Sequence, residues 1–89
     1  MVVDSDYEGV PAAVGDAATA GLVAALVALE AEFEAERPEV VVAADDSEAA
    51  LAAALVATKL LIPFEATPAA TGSASPNGRV LAQLATSPS

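Results

Sequence analysis

The sequence predicts a small α/β protein, a Rossmann-like βαβαβ unit in two or three layers with a short helix at its end. Short β-branched runs alternate with long Ala-rich stretches of helical periodicity, which is typical of parallel βαβ units. The 89 residues allow one domain with a thin core, because Ala supplies much of the 55% apolar content. Right-handed crossovers would make this unit half of a doubly wound nucleotide-binding fold.

The first two predicted elements are a short strand over residues 1–3 and a long helix. The helix begins between Pro11 and Asp16 and ends at Glu36, because Pro38 stops it and Arg37 suits the helix dipole. Its large apolar residues recur at steps of four, three and four, which places one stripe toward the core. These residues are Leu22, Leu26, Leu29 and Phe33, while Glu30, Glu32, Glu34 and Glu36 mostly face water.

The next two elements are a central strand and a helix without a polar face. Residues 39–43 form a β-branched run without alternation, as expected of a strand buried on both sides. The helix begins at Asp45 or Asp46, and Asp45 with Glu48 has the spacing of a capping box. No polar residue interrupts it from Ala49 to Ala57, so we expect a homo-oligomer or a larger protein partner to cover this helix.

The remaining chain completes the unit. Residues 61–65 are the third strand, at an edge or at a strand start because of Pro63, and they close a core over residues 1–65. Residues 66–78 are rich in Pro, Ser, Thr and Gly and predict a mobile loop that ends in a turn at Asn77-Gly78. A short helix over 79–85 and a disordered tail over 86–89 follow.

The charge balance excludes several classes of function. Three Lys and Arg stand against 13 Asp and Glu, for a net charge of −10, so nucleic acid and anionic membranes are excluded as partners. No apolar run is long enough for a membrane span, and no secretory signal is present, which predicts a cytoplasmic protein. The acidic, Ala-rich composition is also typical of salt-accumulating halophiles.

Acidic residues follow each predicted strand. Asp4 and Asp6 follow the first strand and Asp45 and Asp46 the second, while Glu65 ends the third. The carboxyl ends of parallel strands share one sheet edge, and Mg²⁺ prefers oxygen ligands. One hypothesis is therefore a nucleotide or Mg²⁺-phosphate site, with Asp4, Asp6 and Asp46 as metal ligands and Asp45 and Ser47 completing it. The alternative is that these residues cap helices and are solvated.

The residues favour a protein without catalytic activity. Cys and His are both absent, so Ser5 and Ser47 have no His to act as their base. The glycines Gly9, Gly15 and Gly21 fit neither common phosphate-binding loop. Tyr7 is either a lid over the strand ends or a packing residue, and packing is favoured. We expect a domain that acts by self-association or as a subunit of a larger complex, with nucleotide or Mg²⁺-phosphate binding as the alternative.

Part of the chain, from Leu22 to Pro63, resembles a known family. The segment from Arg37 to Ser47, the Ala-rich helix after it and the dipeptide Ile62-Pro63 resemble a central segment of the non-hydrolysing UDP-N-acetylglucosamine 2-epimerases and related glycosyltransferase-B-like enzymes. The resemblance places the family aspartate at Asp46. The family's His-x-Glu-Ala-Gly motif after Ile-Pro is missing, so the resemblance implies a nucleotide-binding half-domain without that catalysis.

Overall fold

A computed structural model of the chain describes residues 1–7, 18–72 and 74–85. This part of the chain is a small α/β fold with a three-stranded parallel sheet in the order β1-β2-β3, as predicted. Its elements are β1 (Val2–Val3), α1 (Ala18–Ala35), β2 (Val41–Ala43), α2 (Glu48–Lys59), β3 (Phe64–Ala66), α3 (Pro68–Thr71) and α4 (Pro76–Ala85). The predicted helix start between Pro11 and Asp16 and the predicted tail over 86–89 lie outside the described residues.

The sheet is covered on one face. Val3, Val41 and Ala43 are fully buried and point toward the helices. Val2 and Glu65 share the opposite face, because both are in register with Val42, and both are exposed. Two layers result, with β2 in the centre of the sheet as predicted. The predicted strand over 39–43, buried on both sides, is corrected to Val41–Ala43, where Val42 faces the uncovered side and is only partly buried.

α1 packs through the stripe that its sequence predicts. Leu29 and Phe33 are fully buried, and Leu22 and Leu26 are partly buried against the same apolar cluster. Steps of three and four residues bring these side chains to one side of a helix. No described helix is long and apolar enough to cross a membrane.

α2 is the central helix, and its Ala side chains enter two apolar clusters. Ala53 lies in a cluster with Phe33 of α1, and Ala54 lies in a second cluster with Leu81 of α4. α1, α4 and the sheet all contact this helix. The stretch from Ala49 to Ala57 is apolar on every side because it has neighbours within the chain on several sides. The chain itself thus supplies much of the cover that this helix needs, while Leu55 stays partly exposed beside a groove, and a partner there remains a prediction.

The C-terminus of α2 explains why β3 starts later than predicted. The Ile62 amide donates to the Ala57 carbonyl (2.8 Å) and the Leu61 amide to the Thr58 carbonyl (3.3 Å), the two hydrogen bonds of a Schellman motif. Leu61 has a φ of 59°, in the left-handed region, where Gly is the usual residue. This conformation is not extended, so the predicted strand over 61–65 is corrected to Phe64–Ala66.

Arg37 stabilises a different helix from the one predicted. Its Nη2 donates to the carbonyls of Leu60 (2.9 Å) and Leu61 (3.0 Å), just beyond the last turn of α2. A cation near these carbonyls interacts favourably with the negative end of the helix dipole. The side chain thus joins the end of α1 to the end of α2, although it was predicted to serve the dipole of its own helix.

The predicted loop over 66–78 contains helices. Thr67 caps α3 by accepting from the Ala70 amide, and Pro68 occupies the first position of that helix. Pro76 starts α4 in the same way, after Ser75, whose Oγ accepts from the Gly78 amide (3.1 Å). The predicted turn at Asn77-Gly78 is therefore corrected to the first turn of α4.

Candidate functional site

The carboxyl ends of the strands share one edge of the sheet. Asp4 follows β1, Asp45 comes two residues after β2, and Thr67 follows β3. The Thr67 hydroxyl donates to the Ala44 carbonyl (3.1 Å), which joins the second and third strand ends. Glu65, expected at the end of the third strand, lies inside β3 and is exposed, so this edge carries carboxylates from two strand ends only.

Asp45 links the first two strand ends. Its Oδ2 accepts from the Ser5 amide (2.9 Å), and its Oδ1 accepts from the Ser47 amide (3.0 Å). Burial alone would raise the pKa of Asp45, but the hydrogen bonds from Ser47 and Ser5 outweigh it, and the pKa lies below its ordinary value of 3.8. Ser47 is the N-cap of α2, since its hydroxyl accepts from the Ala50 amide (3.2 Å). The predicted capping box with Asp45 as the cap is thus corrected, because the cap is Ser47, two residues later.

We expect Asp45→Asn to lower the free energy of unfolding by about 1 kcal/mol, because an amide offers one acceptor oxygen in place of two. The folded-state pKa is depressed, so the stabilisation by Asp45 is complete above pH 3.8 and is lost as the pH falls through the lower folded pKa. Urea unfolding of both proteins across acid pH checks this. The difference between them should shrink in acid, and a constant difference would contradict the assignment.

Asp46 contacts the other side of the edge, where α4 begins. Its Oδ2 accepts from the Ser75 hydroxyl (2.6 Å), and its carbonyl accepts from Asn77 Nδ2 (3.0 Å). Asn77 Nδ2 also donates to Glu48 Oε1 (3.1 Å) in the first turn of α2. Asp46 and Glu48 therefore fasten α4 to α2.

Asp4 and Asp6 belong to a turn after β1. Asp4 Oδ1 accepts from the Asp6 amide (2.9 Å), and the Asp4 carbonyl accepts from the Tyr7 amide (3.1 Å). Within the described ranges, no three acidic side chains form a group that could hold a metal ion. The predicted Mg²⁺ site of Asp4, Asp6 and Asp46 is not assembled there, because Asp4 closes its own turn while Asp46 bonds to Ser75. The hydrogen bonds of the edge join loops and helix starts.

Tyr7 packs against the core, the role that the sequence favours. The ring contacts the apolar cluster around Phe33, and the hydroxyl donates to Glu32 Oε1 (2.5 Å). Burial, the hydrogen bond to Glu32 and the negative charge of Glu32, in that order, together raise the pKa of Tyr7 to about 12. Glu32, one of the glutamates expected to face water, thus anchors the segment after β1 to α1.

A spectroscopic titration tests the contact between Tyr7 and Glu32. The chain has one Tyr and no Trp, so tyrosinate absorbance reports Tyr7 alone. We expect a midpoint near 12 in the folded protein, with circular dichroism recorded at each pH to verify folding. The folded pKa is raised, so the contribution to stability is complete below pH 10 and is lost as the pH rises through about 12.

Glu32→Gln should lower this midpoint, because it removes the charge that opposes ionisation and leaves the burial in place. Glu34→Gln, on the exposed side of the same helix, is the matched control and should leave the midpoint unchanged. A native midpoint at 10, or equal midpoints in the two variants, would contradict the contact.

An apolar groove runs between α1 and α2. Its walls are Leu26 and Val27 on α1 and Leu55 and Val56 on α2, and Glu30 and Lys59 line it as well. Val27 is 66% exposed, and Val23 one turn earlier is 53% exposed, so the surface beside the groove is also apolar. The sequence reasoning missed this surface. The available signal is the absence of any charged residue from position 18 to 29, with Val23 and Val27 outside the Leu and Phe stripe.

Comparison of the chain with protein-family models, with curated proteins and with solved structures finds no match. The resemblance to the epimerases stays a prediction.

Proposed function

We propose that this chain is a small, non-catalytic α/β domain that acts by self-association, with a second copy docked on the groove between α1 and α2. The single observation that carries the proposal is the exposure of Val23 and Val27 beside a groove with Leu and Val walls. Exposed apolar area that continues into a concave surface is typical of protein interfaces. The docking surface combines the exposed side of α1 with the one side of α2, at Leu55 and Lys59, that the chain leaves partly open.

The chemistry of the chain supports a role without catalysis. His and Cys are absent from the sequence, which removes the commonest general base and the thiolate nucleophile. The carboxylates of Asp45 and Asp46 accept hydrogen bonds that hold loops and helices together. No observation at the sheet edge favours the alternative of nucleotide or Mg²⁺-phosphate binding.

We also propose that the fold is Rossmann-like and that the protein works in a salt-rich cytoplasm. The strand order β1-β2-β3 suits one Rossmann-like half of a doubly wound sheet. The net charge of −10 suits a cytoplasm rich in salt, where carboxylates keep a protein hydrated and salt screens their repulsion. Under those conditions two acidic chains can approach each other through an apolar surface.

Sedimentation equilibrium over a range of protein concentrations, at low and at molar KCl, tests self-association. We expect a dimer at high protein concentration, and a stronger one in molar KCl. Val27→Glu should give a monomer, because it places a charge on the docking surface. Val80→Glu is the matched control on α4, where Val80 is also exposed, and it should still dimerise. A wild-type monomer at every concentration and salt would overturn the proposal.

A further inference from the structure

We infer how the two copies are arranged: a twofold axis runs along the groove, each α1 lies on the partner's α2, and Glu30 of each chain pairs with Lys59 of the other. This inference rests on the proposed self-association and adds its geometry and its charged contacts. It starts from the direction of the two helices. α1 and α2 each connect neighbouring strands of one parallel sheet, so they run side by side in the same direction.

The two walls of the groove match level by level. Leu26 and Val27 of α1 line the same groove as Leu55 and Val56 of α2. Because the helices run in the same direction, we place these two pairs at one level. One turn further on, Glu30 and Lys59 line the groove at its C-terminal end. At the apolar level the two walls carry the same residue types, with Leu opposite Leu and Val opposite Val. At the last level the two walls carry opposite charges.

A twofold axis along this groove exchanges the walls and keeps the levels. The partner's α1 wall then covers the Leu55 and Val56 wall, so that apolar side chains meet apolar side chains. Glu30 of one chain comes to Lys59 of the other, and the symmetry repeats the pair. An axis across the groove would instead place α1 on the partner's α1 and α2 on the partner's α2, in opposite directions, so that Glu30 would face the uncharged first half of α1 and would not meet Lys59.

The overall charge makes this pairing informative. The chain carries 13 acidic residues and only three basic ones, so most of its surface repels a second copy. Among the three cations, Arg37 donates to the carbonyls at the end of α2, and Lys59 lines the groove. The α2 wall of the groove bears the cation Lys59, and the α1 wall bears the anion Glu30. A second copy therefore offers each wall the opposite charge.

Charge reversal of each partner tests the arrangement. Glu30→Lys and Lys59→Glu should each weaken the homodimer by about tenfold or more, because each variant makes two like-charge contacts. If only the overall charge mattered, Glu30→Lys would strengthen the dimer because it makes the chain less acidic. Lys59→Glu would weaken the dimer because it makes the chain more acidic. Glu65→Lys, at an exposed position on the uncovered face of the sheet, is the control with the same charge change as Glu30→Lys.

Mixing the two variants gives the decisive measurement. A chain with Glu30→Lys and a chain with Lys59→Glu should form a heterodimer, because both contacts between them join opposite charges. The double variant Glu30→Lys/Lys59→Glu should form a homodimer again. Sedimentation at low salt with one chain fluorescently labelled reads both results. If Val27→Glu abolishes the dimer while the mixture gains nothing over the single variants, this arrangement is overturned and self-association stands. If the wild type is a monomer, both fall.

Discussion

Phe33→Ala is expected to lower the free energy of unfolding by about 3–5 kcal/mol, the cost of removing a buried aromatic ring from a core that cannot close around the space. Phe33 is 1% exposed and belongs to the cluster that joins α1, α2 and the sheet. A domain of this length has a total stability of roughly 4–13 kcal/mol. The loss is therefore a large fraction of the total stability, and the variant should unfold at a much lower urea concentration than the wild type.

Urea unfolding followed by circular dichroism measures the loss. Glu34→Ala is the matched control, since it truncates the next side chain of the same helix at an exposed position, and it should change the stability by less than about 0.5 kcal/mol. If Phe33→Ala does not fold at all, Phe33→Leu keeps the measurement possible with a cost of about 1.5 kcal/mol or less. A Phe33→Ala variant as stable as the Glu34→Ala control would show that the ring is not in the core.

The parts of the fold that sequence reasoning predicts are those with local periodicity. The stripe that includes Leu29 and Phe33 identifies the buried side of α1, and the Val run around Val41 identifies the central strand. Both patterns follow directly from the geometry of a helix and of a buried strand. Nothing outside the element itself is needed to interpret them.

The parts that it misses depend on contacts distant in sequence. Asn77-Gly78 has the composition of a turn, yet Asn77 donates to Asp46 and Glu48, and these contacts hold it in the first turn of α4. Leu61 takes a conformation usual for Gly because Ile62 bonds back to Ala57 and Arg37 binds the Leu61 carbonyl. In both cases the tertiary contact outweighs the local preference.

The candidate site shows the same division. Acidic residues at the carboxyl ends of β1 and β2 were predictable from the strand pattern, and the structure places them at one edge. Their partners were not predictable, because Ser5, Ser75 and Asn77 come from other segments of the chain. Through the hydrogen bonds to these partners, Asp45 and Asp46 connect segments that are distant in sequence.

Ala53→Leu is expected to lower the free energy of unfolding by about 1–3 kcal/mol, because α2 is packed on several sides within one chain. Ala53 is fully buried, between the cluster on α1 and the sheet. The larger side chain must displace neighbours such as Leu29 or shift the helix, and close-packed interiors resist both. If α2 instead lay open for a partner, the same substitution would leave the unfolding of the monomer nearly unchanged and would alter association.

Ala31→Leu separates the two cases. Ala31 lies on the exposed side of α1, and Leu is almost as good a helix former as Ala, so this control should change the stability by less than about 0.5 kcal/mol. Both variants are unfolded in urea at low protein concentration, where association contributes least to the measured stability. Equal midpoints would show that α2 is not enclosed. A lower midpoint for Ala53→Leu with an unchanged slope would place the loss in the packed interior of the monomer.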